Sequence, residues 1–144
     1  ITGKKNHKGF IVLLSSIAVL DKFFEKVPVS ALEFYKKTSQ PLTIVFEKGK
    51  NVAPEVLGPT GSIAIRITSH PFCKELIEFC KVPLVSTSAN FSGKPSPVTH
   101  RDIDPDLAVL CDFIVPLPEE KPLTTRPSKI IRFTDDGGIF TIRE

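Results

Sequence analysis

Apolar and polar positions change period several times along the chain, and each change marks an element. Residues 10–14 (FIVLL) form an unbroken apolar run with the length and branching of a buried strand. Behind Ser15 or Ser16, either of which can cap a helix, Ile17, Leu20, Phe23 and Phe24 recur at helical spacing. Ser30 and Glu33 stand at capping-box spacing for a second short helix through Lys37. Leu42, Ile44 and Phe46 then alternate with Thr43 and Val45, and residues 62–68 (SIAIRIT) alternate again, as strands do. Between these two strands, residues 51–61 carry two prolines and two glycines and read as a loop with one helical turn.

Ser69, with Pro71 in the first turn, starts a helix through Cys80 whose apolar side is expected to hold Phe72, Leu76, Phe79 and Cys80. Leu84 and Val85 form a short strand that runs into a polar loop. A helix is expected over residues 102–110, a strand over 112–116 and a proline-rich loop over 116–127. Residues 129–133 and 139–143 flank Asp135, Asp136, Gly137 and Gly138, a strong hairpin signal. Strands and helices that alternate and end in a hairpin predict an α/β or α+β fold: a twisted open sheet of mixed strand direction flanked by helices.

Composition narrows this picture. The 144 residues, 41% of them hydrophobic, fit one domain. The chain begins at Ile1 and has no methionine, which reads as a fragment whose N-terminal part is missing. No apolar run approaches the roughly 18 residues of a membrane-spanning helix, and no signal segment precedes the first strand. A membrane-spanning role is therefore not expected, and the missing N-terminal part limits what the absence of a signal segment says. Cys73, Cys80 and Cys111 cannot all pair and lack zinc spacing, so a reducing cytoplasm is the expected compartment, with Cys73 and Cys80 packed in the core. His7, His70 and His100 are too scattered for a metal site. A net charge of +3 permits an anionic ligand without requiring one.

The densest chemical signal is residues 83–99, PLVSTSANFSGKPSPVT. An apolar strand stops there and Ser86, Thr87, Ser88, Asn90, Ser92 and Gly93 follow, in the place where open α/β sheets bind ligands. If the backbone stays extended, Ser86, Ser88 and Asn90 share one side. None of these groups titrates near neutrality, so they suit hydrogen bonding to phosphate, carboxylate or ribose rather than acid–base work. An ordinary polar turn would have the same composition. Arg66 sits mid-strand among apolar residues, where burial of an unpaired charge is costly. It must reach solvent, a carboxylate or an anionic ligand. Lys4, Lys5 and Lys8 either neutralise phosphates or form a solvated loop. Neither Walker A nor G-x-G-x-x-G spacing occurs.

The STSAN loop resembles the signature of the YrdC/TsaC family of threonylcarbamoyl-AMP synthases. GSIAIRITSHP resembles that family's strand with a central arginine, and QPLTIVFEKG its P-L-T strand. KNHKGFIVLLSS resembles the segment after its K-x-R motif, and PSKIIRF with FTIRE its last two strands. The resemblance covers essentially the whole chain and implies a YrdC-like fold. It also implies a reaction joining L-threonine, bicarbonate or CO2, and ATP with Mg2+ as a substrate complex. The products are threonylcarbamoyl-adenylate and pyrophosphate, for tRNA threonylcarbamoyladenosine modification.

Carried over by position, Arg66, Ser86 and Ser128 would hold threonine, and Lys4, Ser62, Ser88, Asn90, Ser96 and Arg143 would line the ATP site. The implied partners are tRNA or double-stranded RNA and a downstream threonylcarbamoyl-transferase complex. The chain departs from the pattern at several places. Thr2 and Lys4 stand for K-x-R, Thr38, Ser39 and Gln40 for W-P-G, and Lys129 for the threonine of P-S-T. Two alternatives follow from these departures and from the family's range: a non-catalytic RNA-binding paralogue, or a YrdC-like domain of a larger carbamoyltransferase.

Overall fold

A computed structural model describes residues 10–24, 26–116, 128–134 and 138–143. The chain divides into two compact units. One comprises His7–Ser86 and Pro127–Glu144, and the other Ile1–Asn6 and Thr87–Arg126.

The first unit is a six-stranded sheet. Its strands are β1 (Ile11–Leu14), β2 (Leu42–Phe46), β3 (Ile63–Ile67), β4 (Leu84–Ser86), β5 (Lys129–Phe133) and β6 (Ile139–Arg143), ordered β4-β1-β3-β2-β5-β6. β1 pairs with β3, and β2 with β5, in parallel; the other three pairings are antiparallel. The expected mixed open sheet is present. The helices of this unit are α1 (Val29–Lys37) and α2 (Pro71–Cys80), joined by 3-10 turns at Ile17–Lys22 and Pro54–Val56.

Alternation decides which face is covered. Val12, Leu14, Ile44, Phe46, Ile63, Ile65, Ile131 and Phe133 point to one side and are almost wholly buried, together with Leu20, Phe23, Phe24 and Ala31. An aromatic row runs through this layer. Phe24 stacks on Phe46 at 4.4 Å, Phe46 lies 6.2 Å from Phe133, and Phe34 meets Phe133 edge-on. Tyr35 of α1 donates its hydroxyl to the Ile65 carbonyl at 2.7 Å, which ties the helix to the middle of the sheet. Burial pushes its phenol far above the ordinary tyrosine range, and backbone contact with Ile44 offsets only part of that.

Several local expectations change once neighbours are present. Ser16 does cap the segment behind it, but as a 3-10 turn. α1 starts at Pro28 without a side-chain cap, and Glu33 instead pairs with Lys37 at 3.1 Å. In α2 the buried residue is Ile77, with Cys73 and Leu76 beside it at i, i+3, i+4 spacing, while Phe79 is 87% exposed and Cys80 is exposed. Of the expected apolar side of α2, Phe72, Phe79 and Cys80 are thus turned toward solvent, and Leu76 lies beside the buried stripe.

The second unit's described residues carry a 3-10 turn at His100–Asp102 and α3 (Pro105–Val109) in place of one continuous helix. Asp104 caps α3 by accepting the Asp106 N–H at 3.0 Å, and Pro105 at the helix start separates it from the preceding turn. Residues 112–116 are exposed and form no strand, because no neighbouring backbone pairs with them.

Candidate functional site

The open face of the sheet collects the polar groups. Cross-strand partners share a face, so Arg66 stands in one row with Leu13, Thr43 and Ile130, and β6 brings Arg143 opposite Ile130. Ser86 is opposite Ile11, in the next row, with Ala64, Val45 and Arg132. Strand spacing and rise put the Arg66 and Ser86 Cα atoms roughly 12 Å apart on that face. Arg66 makes no side-chain hydrogen bond or ion pair with another described residue. Of the options its sequence position left open, a carboxylate partner is not supplied by the described residues.

Next to Arg66 lies a buried hydroxyl pair. Thr43 is fully buried and Ser128 is 3% exposed, and their oxygens meet at 2.8 Å. Arg143 rests on the same serine. Its Nε and Nη2 donate to the Ser128 carbonyl at 3.1 and 2.8 Å, and Nη2 also reaches Ser128 Oγ at 3.3 Å. One edge of the Arg143 guanidinium is therefore fixed by the protein, and the remaining N–H groups are left to donate elsewhere. A bulge in the β5–β6 pairing at Ile130/Ile131 brings Arg143 to this side. Ser62, just before β3, is buried with its hydroxyl under Gly58; a Cβ there would come within 2.6 Å of Ser62 Oγ.

In the second unit the STSAN segment is a turn. Extended backbone ends at Ser86, and the Asn90 N–H bonds the Ser88 carbonyl at 2.9 Å, so the alternation expected over Ser86, Ser88 and Asn90 does not continue. Asn90 braces this loop by donating its amide nitrogen to the carbonyls of Phe91 and Lys94 at 3.0 and 2.6 Å. Those two acceptors fix the amide's orientation and leave Oδ1 buried without a partner. Gly93 adopts φ +83°, the left-handed conformation that the turn requires. Ala89, Asn90, Phe91, Lys94, Pro95, Pro97, Asp102 and Asp104 line a small cavity. Asp102 accepts from the Thr99 N–H and hydroxyl at 2.7 and 2.9 Å, and these bonds hold its carboxyl below the usual range. Ser88 and Ser96 are exposed in the same unit. Lys4 lies outside the described residues.

Two residues of the open face escaped the sequence reading. Thr43 has no signal in the sequence beyond its place as the alternate member of a strand. Arg132 carries a signal like that of Arg66, a positive charge among the apolar residues Ile130, Ile131 and Phe133, although the strand also begins with Lys129. Among the described residues, no group of three or more His, Cys, Asp or Glu could cage a metal ion, and no helix is long and apolar enough to cross a membrane.

Comparison with known proteins shows the family and the fold. The Sua5/YciO/YrdC family model, described as telomere recombination, matches residues 1–144. A Methanocaldococcus jannaschii protein is 38% identical over 104 residues, covering 72% of this chain and 46% of that protein. A Hydrogenovibrio crunogenus protein named threonylcarbamoyl-AMP synthase is 37% identical over 100 residues, covering 64% of this chain and 51% of its own. The chain thus spans about half the length of these relatives. The structure of Pyrococcus abyssi Sua5 complexed with L-threonine superposes with a TM-score of 0.76 at 26% identity, over 88% of this chain and 37% of that one.

Proposed function

Since this chain belongs to the Sua5/YciO/YrdC family, we propose that it serves threonylcarbamoyl-AMP synthesis, with the open sheet face as its substrate surface. The observation that carries the reading is Arg66: a mid-strand guanidinium beside the Thr43–Ser128 pair, unpaired with any described residue. A free amino acid's carboxylate fits it, forked across two parallel N–H donors. Ser86 faces the same space, and Ser128 bounds it from the other side. The Sua5 relative whose structure holds L-threonine supports the choice of amino acid.

ATP is assigned to Arg143, Ser62, Ser88, Asn90, Ser96 and Lys4. Mg2+ enters as part of the ATP substrate, because this ion keeps waters and phosphate oxygens as ligands more readily than it fills a protein cage. The threonine amine combines with bicarbonate to give a carbamate and water. A carbamate oxygen then bonds to the α-phosphorus as the bond to the bridging oxygen of pyrophosphate breaks. Both reactants are anions, so fixed donors that hold them together and spread the developing charge are the protein's main contribution. The partners in this reading are tRNA or double-stranded RNA and the transferase that consumes the adenylate.

The test is pyrophosphate release by the intact protein with ATP and Mg2+. Release that requires both L-threonine and bicarbonate is expected; release indifferent to threonine, or none, rejects the synthase. Arg66→Ala is expected to weaken threonine binding by about 1.5–3 kcal/mol, the range for hydrogen bonds to charged groups. The lower end applies where water screens the partly exposed guanidinium. Lys4 and the Thr38-Ser39-Gln40 segment, where the family pattern has other residues, favour one second reading, an RNA-binding paralogue. Salt-dependent binding of structured RNA without threonine-dependent turnover would select it.

A further inference from the structure

The open face carries a third guanidinium to which no role is yet attached. Arg132 lies on β5 with its Cα opposite Val45 on one side and Phe140 on the other, one row from Arg143 and Thr43. Its Nε is buried and has no hydrogen-bond partner, and the side chain makes no ion pair with a described residue. A buried N–H of a charged group without an acceptor is unfavourable and rare, so the geometry calls for an acceptor that the described residues do not supply.

Spacing selects its class. Strand separation and rise place the Arg132 Cα roughly 8 Å from that of Arg143 and roughly 12 Å from that of Arg66. A single carboxylate can satisfy one of these guanidiniums, whereas a chain of phosphates can lie across Arg132 and Arg143 together. Arg66 and Ser86 occupy the β3-to-β4 part of the face, and Arg132 and Arg143 the β5-to-β6 part. We propose that Arg132 is a polyphosphate-binding residue, paired with Arg143, that holds the phosphate chain of the nucleotide away from the amino-acid end of the face. This rests on the synthase reading for the identity of the nucleotide, but the site itself is defined by its affinity for polyphosphate.

The probe is inorganic tripolyphosphate, titrated calorimetrically into the intact protein at low and physiological salt, with L-threonine titrated separately. Arg132→Gln is expected to bind tripolyphosphate about tenfold more weakly with a flatter salt dependence, as loss of one charge pair requires, and to bind threonine unchanged. Arg132→Lys, which keeps the charge but not the fork, is expected to fall between. Should either variant not fold, the wild-type protein answers alone: the Arg132 Nε–H resonance should move on addition of tripolyphosphate. Equal tripolyphosphate affinity in wild type and Arg132→Gln, a loss confined to threonine, no tripolyphosphate binding by the wild type, or a stationary Nε–H resonance each overturns the assignment. A wild type that binds tripolyphosphate through Arg132 yet makes no threonine-dependent pyrophosphate upholds it while removing the synthase reading.

Discussion

Replacing Thr43 by valine keeps the shape of a fully buried side chain and deletes only the oxygen that meets Ser128 at 2.8 Å. Loss of a neutral hydrogen bond costs about 1 kcal/mol net, and a buried partner left without one adds its desolvation penalty of about 1–3 kcal/mol. Here the second contribution is reduced, because Arg143 Nη2 stands 3.3 Å from Ser128 Oγ and can still donate to it. The serine hydroxyl nevertheless loses its hydroxyl partner, whichever of the two donates. The net expectation is a destabilisation of about 1.5–2.5 kcal/mol, or a fall in Tm of roughly 5–8 °C for a chain of this size. Ser128→Ala should cost a similar amount. The double variant removes both partners and should be less destabilised than the sum by about 1 kcal/mol, since two apolar groups of like shape are near neutral together. Urea denaturation of the four proteins measures that coupling. Additivity within about 0.3–0.5 kcal/mol would refute the pairing.

Two other perturbations test the covered face. Tyr35 is the single tyrosine and the chain has no tryptophan, so phenolate absorbance reports on it alone. Its folded-state pKa is raised, so the stability it contributes is fully present below the ordinary phenol pKa of about 10. Above that pH the unfolded chain releases a proton that the folded one keeps, and stability declines by up to about 1.4 kcal/mol per pH unit. Phenolate should therefore appear together with unfolding; ionisation near pH 10 in a still-folded protein would contradict the burial. Gly49 allows the β2–β3 connection to close on the core, since a Cβ there would lie 2.7 Å from Ile63 Cβ and 2.9 Å from Leu57 Cδ2. Gly49→Ala should cost about 1–3 kcal/mol by overpacking, read as a lowered denaturation midpoint; an unchanged midpoint would show that the loop has room.

The sequence by itself determined the elements whose signal is local. Alternation marked β2 and β3, the apolar run marked β1, Pro71 marked the start of α2, and the Asp-Asp-Gly-Gly signal in the sequence predicted the antiparallel pairing of β5 with β6. It also singled out Arg66, because a charge among β-branched neighbours breaks an otherwise regular pattern, and the STSAN run pointed to the family. These features depend on residues a few positions apart, where period and backbone preference act directly.

What the tertiary structure decided is everything that depends on which distant segments pair. Residues 112–116 have strand composition but find no neighbouring backbone. Phe79 belongs to an apolar-looking helix side that the fold turns outward, because the buried stripe follows Ile77. Thr43 and Ser128 are 85 residues apart and touch only because β2 and β5 are neighbours in the sheet. Arg66, Arg132 and Arg143 come to one face through register, including one bulge. Strand order and register are set by backbone pairing between remote segments, and a one-residue shift would send each of these side chains to the opposite face. That is why the cationic face could be suspected one arginine at a time from the sequence, and assembled only by the fold.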